Sequence, residues 1–111
     1  MITLKTLARN KPFKCEETGD GITIYFDSEL TIDFSKEEMQ SVVSHFRGKI
    51  FKLDNDQESN FTGERGLGWF ISTSLGKPPK TVSHLIAYLV YKMKAKQVND
   101  SKRGMEFCII D

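Results

Sequence analysis

The sequence predicts an α+β domain: a layer of antiparallel strands first, a mostly helical unit after it. Three observations carry that expectation. Segment 22–26 is rich in β-branched and aromatic residues, and segments 13–17 and 30–34 alternate apolar with polar side chains at the period of a half-buried strand. Val82, Leu85, Ile86, Leu89, Val90 and Met93 recur at i, i+3, i+4, i+7, i+8 and i+11, the spacing of one helix face. Ser35 and Glu38 stand three residues apart at the head of a second helical period, the spacing of a capping box.

Length and composition set the frame. A chain of 111 residues is one domain with a modest core, and 39% apolar against 28% charged residues excludes whole-chain disorder. With 8 Phe, 3 Tyr and 1 Trp, the core should be aromatic-rich. The net charge of +1 gives no general argument for a polyanion. Its distribution is uneven: residues 1–61 carry 8 Lys/Arg and 11 Asp/Glu, net −3, and residues 62–111 carry 8 and 4, net +4. A basic half that meets a polyanion and two halves that attract each other both fit this asymmetry. No apolar h-region opens the chain and no run reaches the roughly 20 apolar residues of a membrane span, so a cytoplasmic protein without a membrane partner is expected. Asn60-Phe61-Thr62 would then carry no glycan. Cys15 and Cys108 have no metal-type spacing and read as buried reduced thiols.

Taken in order, Ile2 to Arg9 is a strand or a short helix that Pro12 terminates. Phe13 to Glu17 and Ile22 to Phe26 form a hairpin around Thr18-Gly19-Asp20-Gly21. A turn at 27–29 leads to Leu30–Phe34. The helix from Ser35 buries Met39, Val42, Val43 and Phe46, with Phe34 and Met39 as a hydrophobic staple, and ends at Gly48. Residues 49–53 form a short strand and 54–60 a polar loop. Residues 67–75 read as a short helix closed by Gly76. Pro78 and Pro79 suit the start of the next helix, which runs from about Lys80 to Lys96. A polar turn at 99–104 and a strand at 105–110 close the chain.

Candidate chemistry is sparse. Asp54, Asp56 and Glu58 alternate like calcium ligands, but Ser59 and Arg65 stand where such a loop needs Gly and Glu, so no metal is expected. Residues 63–68 are glycine-rich without a phosphate-loop pattern, and no cofactor is expected. Neither His45 nor His84 neighbours a Cys or Ser in a nucleophile motif, so the chain does not read as an enzyme.

One stretch does suggest a function. In Leu75-Gly76-Lys77-Pro78-Pro79-Lys80-Thr81-Val82-Ser83, Gly76 takes the turn position of a helix-turn-helix. Ile71, Leu75, Val82 and Leu85 take the apolar positions that join its helices, and Ser72 the small one. The stretch resembles the winged helix-turn-helix DNA-binding domains, with one departure at Lys77, where that family usually carries an apolar residue. Their order of helix, strand, helix, turn, recognition helix and wing would map onto 35–47, 49–53, 67–75, 80–94, then 95–98 and 105–110 around the turn at 99–104. Residues 1–34 would add a β-rich layer to the winged-helix-like unit at 35–111. The resemblance implies a small regulator of double-stranded DNA. Lys77, Lys80 and the wing residues Lys102 and Arg103 would touch phosphates, and Thr81, Ser83 and His84 would face base edges.

A second stripe on the long helix, His84, Tyr88 and Tyr91, leaves two readings open. It packs beneath the N-terminal hairpin, or it offers a surface to a protein partner or a second copy. A non-enzymatic interaction module, such as an inhibitor or adaptor using this stripe or the acidic N-terminal sheet, is therefore the alternative to DNA binding.

Overall fold

A computed structural model describes residues 1–7, 9–26, 29–53, 66–101 and 104–110. Strands β1 (Ile2–Lys5), β2 (Pro12–Thr18), β3 (Gly21–Tyr25) and β4 (Thr31–Ser35) pair in that order as an antiparallel meander. The first segment is thus a strand, in register with β2 from Ile2↔Cys15 to Lys5↔Pro12. Alternation works as expected: Phe13, Cys15, Ile22, Ile24, Ile32 and Phe34 are buried, while Thr31 and Asp33 are exposed. The turn between β2 and β3 is tight. The Gly21 amide donates to Thr18 Oγ1 at 3.1 Å, and Gly21 sits at φ +153° against the Phe34 carbonyl. Only a residue without Cβ lets β4 come this close.

Helix α1 (Lys36–Phe46) follows β4 directly. Its capping box is complete: the Glu38 amide donates to Ser35 Oγ at 3.0 Å, and the Ser35 amide donates to Glu38 Oε1 at 2.9 Å. Val42, Val43 and Phe46 are buried, and Gly48 adopts φ +79° just past the helix end. Then come β5 (Ile50–Lys52), α2 (Leu67–Ser74), a single 3-10 turn over Pro79–Thr81, α3 (Val82–Tyr91), β6 (Ala95–Ser101) and β7 (Gly104–Ile109). The last three strands form a second antiparallel sheet in the order β5-β7-β6. Gly76, at φ +66°, turns the chain between α2 and the 3-10 segment.

Helix α3 ends earlier than the apolar period suggests. Its close is a Schellman motif: the Met93 amide donates to the Val90 carbonyl and the Lys94 amide to the Leu89 carbonyl, at 3.0 and 2.8 Å. Met93 takes the left-handed position at φ +60°, where glycine is usual. Its side chain is 77% exposed, so Met93 leaves the predicted buried stripe, and Val90 is only half-buried. Ala95 instead points into the core as β6 begins.

One apolar cluster unites both sheets and all three helices. Helix α3 lies at its centre and is covered around most of its circumference: Val82, Leu85, Ile86, Ala87, Tyr88 and Leu89 are all buried. Among the described residues no helix is long and apolar enough to cross a membrane.

Two substitutions at positive φ should act in opposite directions. Gly21→Ala sets a methyl against the Phe34 carbonyl in a conformation that alanine avoids, and should cost more than about 2 kcal/mol of unfolding free energy. Met93→Gly relieves the left-handed penalty at an exposed position and should add about 1 kcal/mol. Urea unfolding followed by circular dichroism reads both.

Candidate functional site

The start of α3 is where the sequence places its DNA contacts, and the four-stranded sheet closes over much of it. His84 is half-buried, with its imidazole edge-on to Phe13 at 4.8 Å and to Phe26 at 4.5 Å between ring centroids. Its Nδ1 is buried and finds no hydrogen-bond partner of standard geometry. Burial pushes the imidazole pKa below its ordinary value. The Lys80 backbone acts in the opposite direction, and the Lys11 charge adds to the lowering. Thr81 is fully buried, and its hydroxyl donates to the Pro78 carbonyl at 2.8 Å. This corrects the expectation that Thr81 and His84 face base edges: the first stabilises the 3-10 turn, and the second fills an aromatic slot. Ser83 is half-buried.

The lysines of this stretch are also engaged. Lys77 Nζ lies 3.5 Å from Glu38 Oε1 and 5.4 Å from the centroid of the Phe34 ring, with its side chain 22% exposed. The same carboxylate that completes the α1 cap therefore holds the turn after α2. Where a helix-turn-helix usually has an apolar residue, Lys77 lays its stem over Phe34 and keeps its charge on a partner. Lys80 is exposed, with Nζ 5.7 Å from the Phe26 centroid. Lys102 and Arg103 lie outside the described residues, as do Asp54, Asp56, Glu58 and the glycine-rich segment up to Arg65.

The tyrosine stripe divides. Tyr88 is buried, its ring 6.4 Å from that of Tyr91, and its hydroxyl donates to Glu17 Oε2 at 2.7 Å. Lys92 Nζ reaches the same oxygen at 3.2 Å. These two partners, the tyrosine first, hold the Glu17 carboxyl below its usual range. Burial and the Glu17 bond push the Tyr88 phenol upward. Tyr88 thus joins α3 to β2 and is not available as an interface anchor, whereas Tyr91 is 49% exposed. Glu17 itself escapes sequence reasoning, because 71 residues separate it from Tyr88 and nothing in its neighbourhood marks it. Cys15 is buried beside this clamp and its thiol is pushed up to about 11, by burial first and the Glu17 charge second. Both cysteines are free, although Cys108 is only half-buried. His45 packs between the Phe46 and Phe70 rings.

Two outer faces remain. The solvent face of the four-stranded sheet carries Lys5 and Lys14 as well as Glu16 and Asp33, so it has both signs of charge. It is also knitted to itself: Thr23 donates to Asp33 Oδ1 at 2.7 Å and Tyr25 to Glu16 Oε1 at 3.0 Å. The face of the second sheet differs. Its register sets Phe51 opposite Phe107, both buried in the core. The neighbouring row, Ile50, Cys108 and Lys96, faces the other way, and Ile50 is 58% exposed.

A shallow hollow on α1 is lined by Lys36, Glu37, Gln40, Ser41 and Ser44. Among the described residues no group of three or more His, Cys, Asp or Glu is placed to hold a metal ion. Compared with protein-family models, curated proteins and solved structures, the chain matches none.

Acidification should expose the cost of burying His84. Its folded pKa lies below the ordinary 6.5, so the stability present above about pH 6.5 is lost as pH falls, because the unfolded imidazole takes the proton first. His84→Phe should remove this part of the decline in melting temperature between about pH 7 and pH 5. An unchanged profile would take His84 out of the aromatic slot.

Proposed function

We propose that this chain is a non-enzymatic protein-interaction module, an inhibitor or adaptor in kind, built on a winged-helix-like frame. The frame is supported by the run of α1, β5, α2, the turn at Gly76, α3 and the β6–β7 hairpin, in the sequential order that the winged helix-turn-helix resemblance implies. The observation that carries the functional reading is the cover over α3. A helix that reads bases inserts its N-terminal end into the major groove, which requires that end to be open. Here His84 is held between Phe13 and Phe26, Thr81 is buried and Lys77 is paired with Glu38. The sheet that covers α3 shares one core with the rest of the domain, so it is not a detachable lid. Binding then falls to the outer surfaces.

Duplex DNA remains the second reading, favoured by one observation: Lys92, Lys94 and Lys96 are all exposed on the approach to the β6–β7 hairpin. A regulator could grip phosphates with such a hairpin without inserting α3.

Titration with random-sequence duplex DNA across a salt series separates the two. A protein that neutralises Z phosphates gives a log–log slope near about −0.9Z. The interaction reading expects no binding at low salt, and no effect of Lys77→Ala with Lys80→Ala. Steep, salt-sensitive binding that Lys94→Ala with Lys96→Ala removes would replace it with the DNA reading.

A further inference from the structure

We infer that the outer face of the second sheet, β5-β7-β6, is a docking surface for an acidic amphipathic helix of a partner protein. This rests on the interaction reading above and names the surface and the chemistry of its partner.

An antiparallel sheet with one solvated face normally alternates apolar side chains inward with polar ones outward. The inner face of this sheet obeys, burying Phe51 and Phe107. Its outer face carries Lys52, Lys96 and Glu106, but Ile50 breaks the alternation. Cys108 stands in register with Ile50 on β5 and Lys96 on β6, and Ile110 follows two residues on, just past β7, its amide donating to the Lys94 carbonyl at 2.9 Å. Ile50 and Ile110 are 58% and 42% exposed. Val98, at the bulge of β6, and Met93, just before that strand, are 41% and 77% exposed. Among the described residues, half of the exposed large hydrophobic side chains thus lie on this sheet or immediately beside it.

Lysines frame these side chains. Lys96 lies in register with Cys108; Lys94 and Ile110 continue that pairing just past the strand ends through the Ile110 amide and the Lys94 carbonyl, and Lys52 closes the β5 end opposite Glu106. Among the described residues Lys94 and Lys96 have no ion pair. Aliphatic surface bordered by Lys94 and Lys96, with Lys52 and Glu106 opposite each other at its β5 end, carries net positive charge and is complementary to a helix with an apolar stripe flanked by Asp and Glu.

Other occupants fit less well. The bulge between Gln97 and Asn99 interrupts the β6 ladder and blunts that edge against an added strand. A single-stranded nucleic acid would use aromatic rings to stack its bases, and the residues named on this face are aliphatic. Helix α1 of a second copy offers no such stripe, since it exposes Lys36, Glu37, Gln40 and Ser44.

The test is selection from displayed random peptides of about 16 residues against the intact chain, followed by affinity measurement on synthesised winners. The reference is an Ile50→Ser, Lys96→Glu variant, which alters exposed positions and should keep the parental melting temperature. The expected result is enrichment of sequences with Leu, Phe or Met at i, i+3, i+4 and i+7 amid Asp and Glu, binding the parent at least about tenfold tighter than the variant. Ile110→Ser should weaken them in the same direction. Basic winners, or winners that bind parent and variant alike, would overturn this surface while leaving the interaction reading in place. A dimer in solution that the variant dissociates would assign the face to a second copy and overturn it too. Duplex DNA binding lost with Lys94→Glu and Lys96→Glu would remove both this inference and the reading beneath it.

Discussion

The domain depends on the docking of its N-terminal sheet against helix α3. That contact has an apolar part and a polar part. Phe13 and Phe26 close on His84, and Cys15 and Ile24 lie in the same buried layer. Beside them Glu17 accepts from Tyr88 and pairs with Lys92, so a carboxylate at the sheet rim is tied to a phenol and an ammonium on the helix. The apolar part supplies most of the free energy, because it removes whole rings from water. The polar part fixes where the sheet sits, because a hydrogen bond between named atoms tolerates little sliding. Without the sheet, the stripe of His84, Ala87 and Tyr88 would be a wet apolar surface. With it, α3 becomes a central helix, apolar almost all round.

Much of the fold was legible because it is written in local chemistry. Ser35 and Glu38 announce a capping box that forms with both bonds in place. Gly48 and Gly76 adopt the left-handed conformations that ending a helix and turning the chain require. The period of two in β2 and β4 maps directly onto buried and exposed positions. The end of α3 was not legible. Its closing residue is Met93, and a methionine at a left-handed position carries no mark in the sequence, so the apolar period seemed to run on. The candidate site was legible only as an ambiguity. His84, Tyr88 and Tyr91 showed a second stripe, but whether a stripe is covered depends on residues far away in the chain. Glu17 and Tyr88 meet across 71 positions, and no spacing rule reaches that far.

Lys77 illustrates how a departure from a pattern can be absorbed. At a position where a helix-turn-helix favours an apolar side chain, the lysine stem runs over Phe34 while its ammonium meets Glu38. The packing role is kept by the methylenes and the charge is neutralised by a carboxylate already present for capping. A partly exposed pair of this kind contributes little to stability by itself. It does couple the turn after α2 to the first turn of α1.

The pairing of β5 with β7 bears on how the chain reaches this structure. The N-terminal meander joins neighbours in sequence, so each of its strands can pair soon after it emerges. The second sheet joins Ile50 to Cys108, and both helices α2 and α3 lie between them. A strand of three residues has too few bonds to hold such a loop closed before the helices are packed. Folding should therefore run from a locally paired front to a back that closes last. During synthesis, β5 must wait for nearly the whole chain before it finds its partner strand.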